Sequence, residues 1–273
     1  MRNTKTAELV LTALFAAIII IMAFTPLGYI PLVIINATII HIPVILGALF
    51  CGPKKGGFLG FVFGLTSFIK NTVMPSSLSA FVFSPVLAAS MVGTSGIFKS
   101  AFICFVPRIL VGILPYYVYL GVRKAVTSEN KKIWSTVLNV LIGVFLLVGC
   151  RAFINKVFDA NLLSTGAVWA ISAIVGVVVF AALEVFTLKK SGSVSAFIYA
   201  GVVGAMTNTI FVMGGIFVLY KNAYADALSI DPGAVLGVIG GVISFNGVIE
   251  AIVAAIIVAA LGVALNKIKP IQK

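Results

Sequence analysis

The sequence predicts an all-α polytopic membrane protein of eight transmembrane spans with both termini on the cytoplasmic side. Three observations carry this expectation. A chain that is 61% hydrophobic and 10% charged, with a mean hydropathy of +1.21, lacks the polar surface of a soluble domain. Its apolar residues are gathered into runs close to the length that crosses a bilayer, about 20 residues. Its Lys and Arg, which give a net charge of +12, cluster in short segments between those runs. That is a topology signal and not a nucleic-acid footprint, so no nucleic-acid partner is read from it.

Taken in order, the spans run from Ala7 to Phe24, Leu32 to Phe50, Gly57 to Lys70, Ile97 to Val122, Ile133 to Cys150, Leu163 to Leu188, Val194 to Tyr220 and Leu236 to Leu265. The first follows Arg2 and Lys5 without a small-residue cleavage site, so it reads as a retained span and not a removed signal peptide. Ala13 and Ala17 within it form a small-xxx-small pair that suits an external or an internal helix partner equally. The third span is the shortest; its Gly56, Gly60 and Gly64 form a ridge at four-residue spacing, expected to pack against an internal neighbour. The stretch from Asn71 to Gly96 is rich in Ser, Pro and Phe, which predicts a folded cap or re-entrant segment. In the fourth span Pro107 lacks an N–H, so the carbonyl of Ile103 loses its helical partner, and a kink or an exposed acceptor is expected beside Arg108. Glu184, near the end of the sixth span, reads as a snorkelling, paired carboxylate at the inner interface.

An inside N-terminus puts thirteen Lys and Arg residues on the cytoplasmic side. Only Lys70, Lys99, Arg151, Lys156 and Lys221 fall outside, with Arg108 in the membrane. Counting about 1.5 Å of rise per residue, Arg108 from Lys99 and His41 from Pro31 each lie roughly 14 to 15 Å below the outer face, near the bilayer centre. Asn36 is shallower, Asn208 lies thirteen residues before Lys221, and Asn246 and Glu250 share one face of the last span. Polar residues at such depths usually mark a binding site or pathway. Arg108 and Glu250 neutralising each other, with three Asn residues as interhelical glue, is the structural alternative. Against it, one carboxylate would have to satisfy a five-donor guanidinium. Cys51, Cys104 and Cys150 lack metal-ligand spacing and read as buried side chains, and no metal or cofactor site is predicted.

The run NATIIHIPVILGALFCGPKKGGFLGFVFGLTSFIKNT (Asn36 to Thr72) carries a family resemblance. So do FVFSP at Phe81 to Pro85, CFVPRILVG at Cys104 to Gly112, TNTIFVMGGI at Thr207 to Ile216 and NGVIEAIVAAIIV at Asn246 to Val258. Together they resemble the substrate-binding S components of energy-coupling factor (ECF) transporters, most closely the pantothenate-type members. The resemblance implies a single membrane domain, 1–273, with a six-helix core: residues 1–125 hold four core spans and 194–266 the last two. A two-helix hairpin, 133–188, is inserted between them, a departure that leaves the family's docking footprint open. We expect this hairpin to pack on the outside of the core, away from the T subunit. The resemblance also implies a non-enzymatic vitamin-capture subunit of the bacterial plasma membrane that docks on a T subunit and two ATPases. Ala13 and Ala17 match the family's docking surface. The binding site would lie under the loops joining the first and second, third and fourth, and last two spans. No GxxxxGK[ST] phosphate loop occurs, so the chain is not itself the motor.

Within that frame Arg108 is the first candidate for a ligand carboxylate, because its planar fork makes two charge-assisted hydrogen bonds in a dry site. Asn36, Asn208 and Asn246 suit hydroxyls and an amide. His41 either does the same or is a packed neutral side chain. Glu250 either holds Arg108 or accepts from a hydroxyl, and Asn71, Thr72 and Phe83 are candidates for a lid. Another vitamin such as folate, or a stand-alone proton-coupled carrier of a small organic anion using His41, Arg108 and Glu250 as a relay, is the alternative. Such carriers typically carry internal repeats, which this sequence lacks.

Overall fold

The computed structural model describes residues 4–31, 36–158, 163–189, 193–268 and 271, and nearly all of them are helical. Six segments are long and apolar enough to cross a membrane: Thr6–Phe24, Ser95–Val126, Lys131–Asn155, Thr165–Val185, Val194–Leu228 and Val235–Ile268. They coincide with six of the eight expected spans. The other two take different forms.

The expected span Leu32 to Phe50 is not one helix. Tyr29–Pro31 (β1) and Asn36–Thr38 (β2) pair antiparallel, Tyr29 opposite Thr38, and the helix α2 occupies only His41–Cys51. Tyr29, Ile30 and Thr38 are aromatic or β-branched, which favours extended backbone over helix. The helical depth count for Asn36 and His41 therefore does not apply: Asn36 stands in a strand and His41 opens a helix. The third expected span is longer than its apolar run. It is α3, Pro53–Val73, with Gly52 at φ 87° turning the chain out of α2 and Pro53 opening the new helix.

α1 is Thr4–Phe24. Leu9, Val10, Ala13, Leu14 and Ala17 lie on its exposed side, while Phe15, Ile19 and Ala23 are buried against the rest of the molecule. After α3 the Ser-, Pro- and Phe-rich stretch is folded, as expected: a short 3₁₀ helix, Leu78–Phe83, leads into α4, Pro85–Val92. Phe81 and Val82 are buried, and the Ser84 side chain caps α4 by accepting from the Leu87 N–H at 3.3 Å.

The fourth span is α5, Ser95–Val111, followed by α6, Leu114–Val126. The helix is interrupted not at Pro107 but at Gly112, where it passes α3. The glycine ridge explains the approach. A Cβ on Gly56, Gly60 or Gly64 would sit 2.0, 2.1 or 2.6 Å from the carbonyl oxygens of Gly112, Arg108 and Cys104. The ridge is thus an internal seam that presses α3 onto the α5 backbone at the level of Arg108.

α7, Lys131–Val157, and α8, Thr165–Lys189, form a hairpin. α8 packs chiefly on α7, where Gly143 and Gly176 face each other. α7 rests on the rest of the molecule through Gly149 against Val248, Phe153 stacked on Phe245 at 5.3 Å, and Tyr199 donating to the Leu138 carbonyl. Glu184 is not paired with a cation in any described contact. It accepts from Thr136 at 2.6 Å and from Asn139 at 2.7 Å, bolting α8 to α7.

α9 is Ser193–Leu228, two turns longer than expected. The last span holds α10, Val235–Val242, a π-helical turn at Ile243–Gly247, and α11, Val248–Ile268. Buried apolar residues form two clusters. One joins α1, α2, α6, α9 and α11; the other joins the 78–83 turn and α4 to α5, α9 and α10.

Candidate functional site

A cavity of about 470 Å³ draws its lining from both apolar clusters and from α3, α5, α9 and the last span. That volume suits a small organic ligand. Arg108, Asn71, Asn208, Asn246 and Glu250 all line it. Residues separated by as much as 179 positions in sequence therefore line one cavity. Of the other predicted residues, His41 is fully buried at the start of α2 and outside the lining, both its ring nitrogens without a hydrogen-bond partner among the described residues. Asn36 has its backbone in β2, and its side chain lies outside the described residues.

Arg108 is 5% exposed. Its Nη1 donates to the carbonyl of Ile103 at 2.6 Å, five residues back. That is the acceptor Pro107 releases by lacking an N–H, so the helix defect is repaired by the neighbouring guanidinium, which is thereby aimed. The same guanidinium lies 5.4 Å from the ring centre of Phe63 and 5.1 Å from that of Phe83, both of which line the cavity. Phe83 is fixed in turn: its carbonyl accepts from Cys104 Sγ at 3.3 Å, and next to it Ser84 meets Thr72 at 2.9 Å. Thr72 thus braces the 78–84 segment and is not itself in the lining.

Glu250 is 7% exposed. Its Oε1 accepts from the backbone N–H of Thr38 at 3.0 Å, and Oε2 accepts from the Thr209 hydroxyl at 3.2 Å. One carboxylate in α11 therefore ties the β1–β2 hairpin to α9 beside the cavity. Charge-assisted bonds of this kind are stronger than neutral ones. The π turn at Ile243–Gly247 lies immediately before it and holds Asn246. An extra residue in the turn rotates what precedes it relative to α11, and such turns recur at functional sites. Asn208 Oδ1 and Asn246 Oδ1 are buried with no hydrogen-bond partner among the described residues. Two acceptors left unpaired beside a cavity are costly unless a ligand or water supplies donors.

Sequence reasoning missed Lys70, Ser67, Thr66, Ser77, Thr38 and Thr209, all of which line the cavity. Lys70 was legible only as an outer topology charge. The lining thus carries two cationic side chains, Lys70 and Arg108, against one carboxyl group, Glu250, which suits an anionic ligand. Thr38 of β2 and Met74, Ser76, Ser77 and Phe83 also belong to the lining. The connection from α9 to α10, residues 229–234, contributes no lining residue.

A family model described as "ECF transporter, substrate-specific component" matches residues 7–184. A pantothenic acid transporter, PanT, of Lactococcus lactis subsp. cremoris is 36% identical over 161 residues, covering 55% of this chain and 78% of the relative. A pantothenate transporter, PanT, of Leuconostoc mesenteroides is 33% identical over 162 residues, covering 58% of this chain and 68% of the relative. With six apolar helices of membrane length, these matches make the chain a multi-pass protein of the bacterial plasma membrane, a transport component and not an enzyme. The chain belongs to the family of substrate-specific components of ECF transporters.

Proposed function

We propose that this chain captures pantothenate from outside the cell as the S subunit of an ATP-driven ECF importer. The observation that carries the reading is the convergence of Arg108, Lys70, Asn208, Asn246 and Glu250 on one cavity of ligand size. In this reading the ligand carboxylate meets Arg108, whose fork is pre-aimed by the Ile103 carbonyl. The unpaired oxygens of Asn208 and Asn246 accept from the ligand's hydroxyls and amide. Glu250 acts on the protein side, holding the β1–β2 hairpin over the bound ligand. The relatives' names support the choice of pantothenate over folate.

The chain crosses the bilayer eight times in this account, with both termini cytoplasmic, α2 and α3 supplying the two crossings of lower apolar length. Six helical crossings form the core and α7–α8 is an added hairpin on its outside, a placement supported by α8 resting chiefly on α7. Ala13 and Ala17, on the exposed side of α1, are the docking surface for a T subunit, which two ATPases energise.

The test is thermal unfolding of the purified protein against a panel of B vitamins. A ligand that binds only the folded state raises the unfolding temperature. Pantothenate is expected to stabilise, and a panel in which folate stabilises and pantothenate does not would reassign the ligand.

A further inference from the structure

A second crevice, of about 560 Å³, opens between the C-terminal half of α6 and the first turns of α7. Val118, Gly121, Lys124 and Ser128 form one wall, Trp134 and Leu138 the other. It shares no lining residue with the ligand cavity. Its interior is apolar apart from Lys124 and Ser128, and the Ser128 hydroxyl is already donating to the Ala125 carbonyl at 2.7 Å.

The depth of this crevice follows from the tryptophans. The chain has two, and both sit on the hairpin. Trp134 is near the start of α7 and 47% exposed; Trp169 is near the start of α8, 46% exposed, with the Arg151 guanidinium 4.3 Å from its ring centre. Trp and Arg gather at membrane–water interfaces. Along α7, Trp134 and Arg151 are 17 residues apart, about 26 Å of helix, close to the roughly 30 Å hydrocarbon thickness. Trp134 therefore marks one headgroup level, and Leu138 lies one turn inside it.

At that level the charge is one-sided. Between positions 114 and 138 stand Arg123, Lys124, Lys131 and Lys132 against the single acid Glu129. Lys124 lines the crevice, and Lys124, Lys131 and Lys132 are all exposed, the last two in the first turn of α7, the helix that carries Trp134. A zwitterionic lipid would fill the slot but leave this charge unmatched, and a free phosphate would match the charge but leave the slot empty. An anionic phospholipid satisfies both. We propose that the α6–α7 crevice is a binding site for an anionic phospholipid, one acyl chain lying between Val118 and Leu138 and the phosphate against Lys124, Lys131 and Lys132. The lipid fills the gap between the hairpin and the helix it follows, so it is a structural ligand independent of the transported one.

Native mass spectrometry of the purified full-length protein tests this, with phosphatidylglycerol and phosphatidylcholine of identical acyl chains as probes and glycerol 1-phosphate as the soluble control. Phosphatidylglycerol should be retained in preference to phosphatidylcholine by more than about tenfold, each lysine contributing roughly fivefold. Glycerol 1-phosphate should not be retained. The triple variant Lys124→Gln, Lys131→Gln, Lys132→Gln should lose the preference; Lys124→Gln alone, with a partial loss, serves if the triple variant fails to fold. A Cβ on Gly121 would meet nothing within 4 Å, so Gly121→Leu fills the slot with every charge in place and should lower retention of both lipids. Equal retention of the two lipids by the wild type overturns the proposal. So does a phosphatidylglycerol preference that survives both the charge and the slot variants, retention of glycerol 1-phosphate, or displacement of lipid by a co-purifying protein seated there.

Discussion

Glu184 and Glu250 both lie within membrane-length helices, and they do different things. Glu250 and Glu184 each accept two hydrogen bonds, the first from Thr38 and Thr209, the second from Thr136 and Asn139. Glu184 joins two consecutive helices face to face. Glu250 joins β2, α9 and α11 beside open volume that Arg108 and Lys70 also line, with the oxygens of Asn208 and Asn246 unpaired among the described residues. Glu250 is buried and Glu184 half-buried, yet the difference that decides their roles is not polarity or the number of bonds made. A polar group in a bilayer marks a ligand site when it borders space and when its neighbours have hydrogen-bonding capacity not yet used. Where all donors and acceptors close on one another, as around Glu184, the cluster holds helices together.

Substitutions can sharpen that contrast. The largest effect is expected at Arg108: Arg108→Ala should weaken pantothenate binding by more than about 2 kcal/mol, because the ligand anion is left buried without its partner. Isothermal titration reads this directly, and an unchanged dissociation constant removes Arg108 from the site. Next is Glu250→Ala, which frees the Thr38 N–H and the Thr209 hydroxyl. It should cost about 1–3 kcal/mol of binding through a loosened hairpin, with faster amide exchange at Thr38 as its signature. Loss of binding with no change in that exchange would make Glu250 a ligand contact instead. Smallest at the ligand is Glu184→Ala, which should lower the unfolding temperature while leaving the vitamin affinity within error. A matching fall in affinity would erase the distinction between the two carboxylates.

The division between legible and illegible features has physical causes. α1, α7 and α8 were legible because an apolar run of bilayer length has one common reading. Arg108 was legible because an arginine at mid-depth is expensive, and the free Ile103 carbonyl beside it because a proline leaves a specific acceptor unpaired; that the guanidinium itself takes that acceptor was not. The glycine ridge declared a close contact, although not that its partner would be the Arg108 backbone. The β1–β2 hairpin was hidden because Leu32 to Thr38 is as apolar as a span, and hydropathy does not distinguish a strand from a helix over so short a run. The π turn was hidden because no residue type demands it. Thr38, Thr209 and Ser67 were missed because a hydroxyl in a membrane helix usually bonds to its own backbone, as Thr72 does to Phe68.

The central claim is that this cavity reads a carboxylate through Arg108. The most direct measurement is the dissociation constant of the purified protein for pantothenate and for pantothenol, the neutral analogue in which a primary alcohol replaces the carboxylate. The account predicts at least a roughly thirtyfold weaker dissociation constant for the alcohol, the equivalent of about 2 kcal/mol. Equal affinity for the two would contradict it.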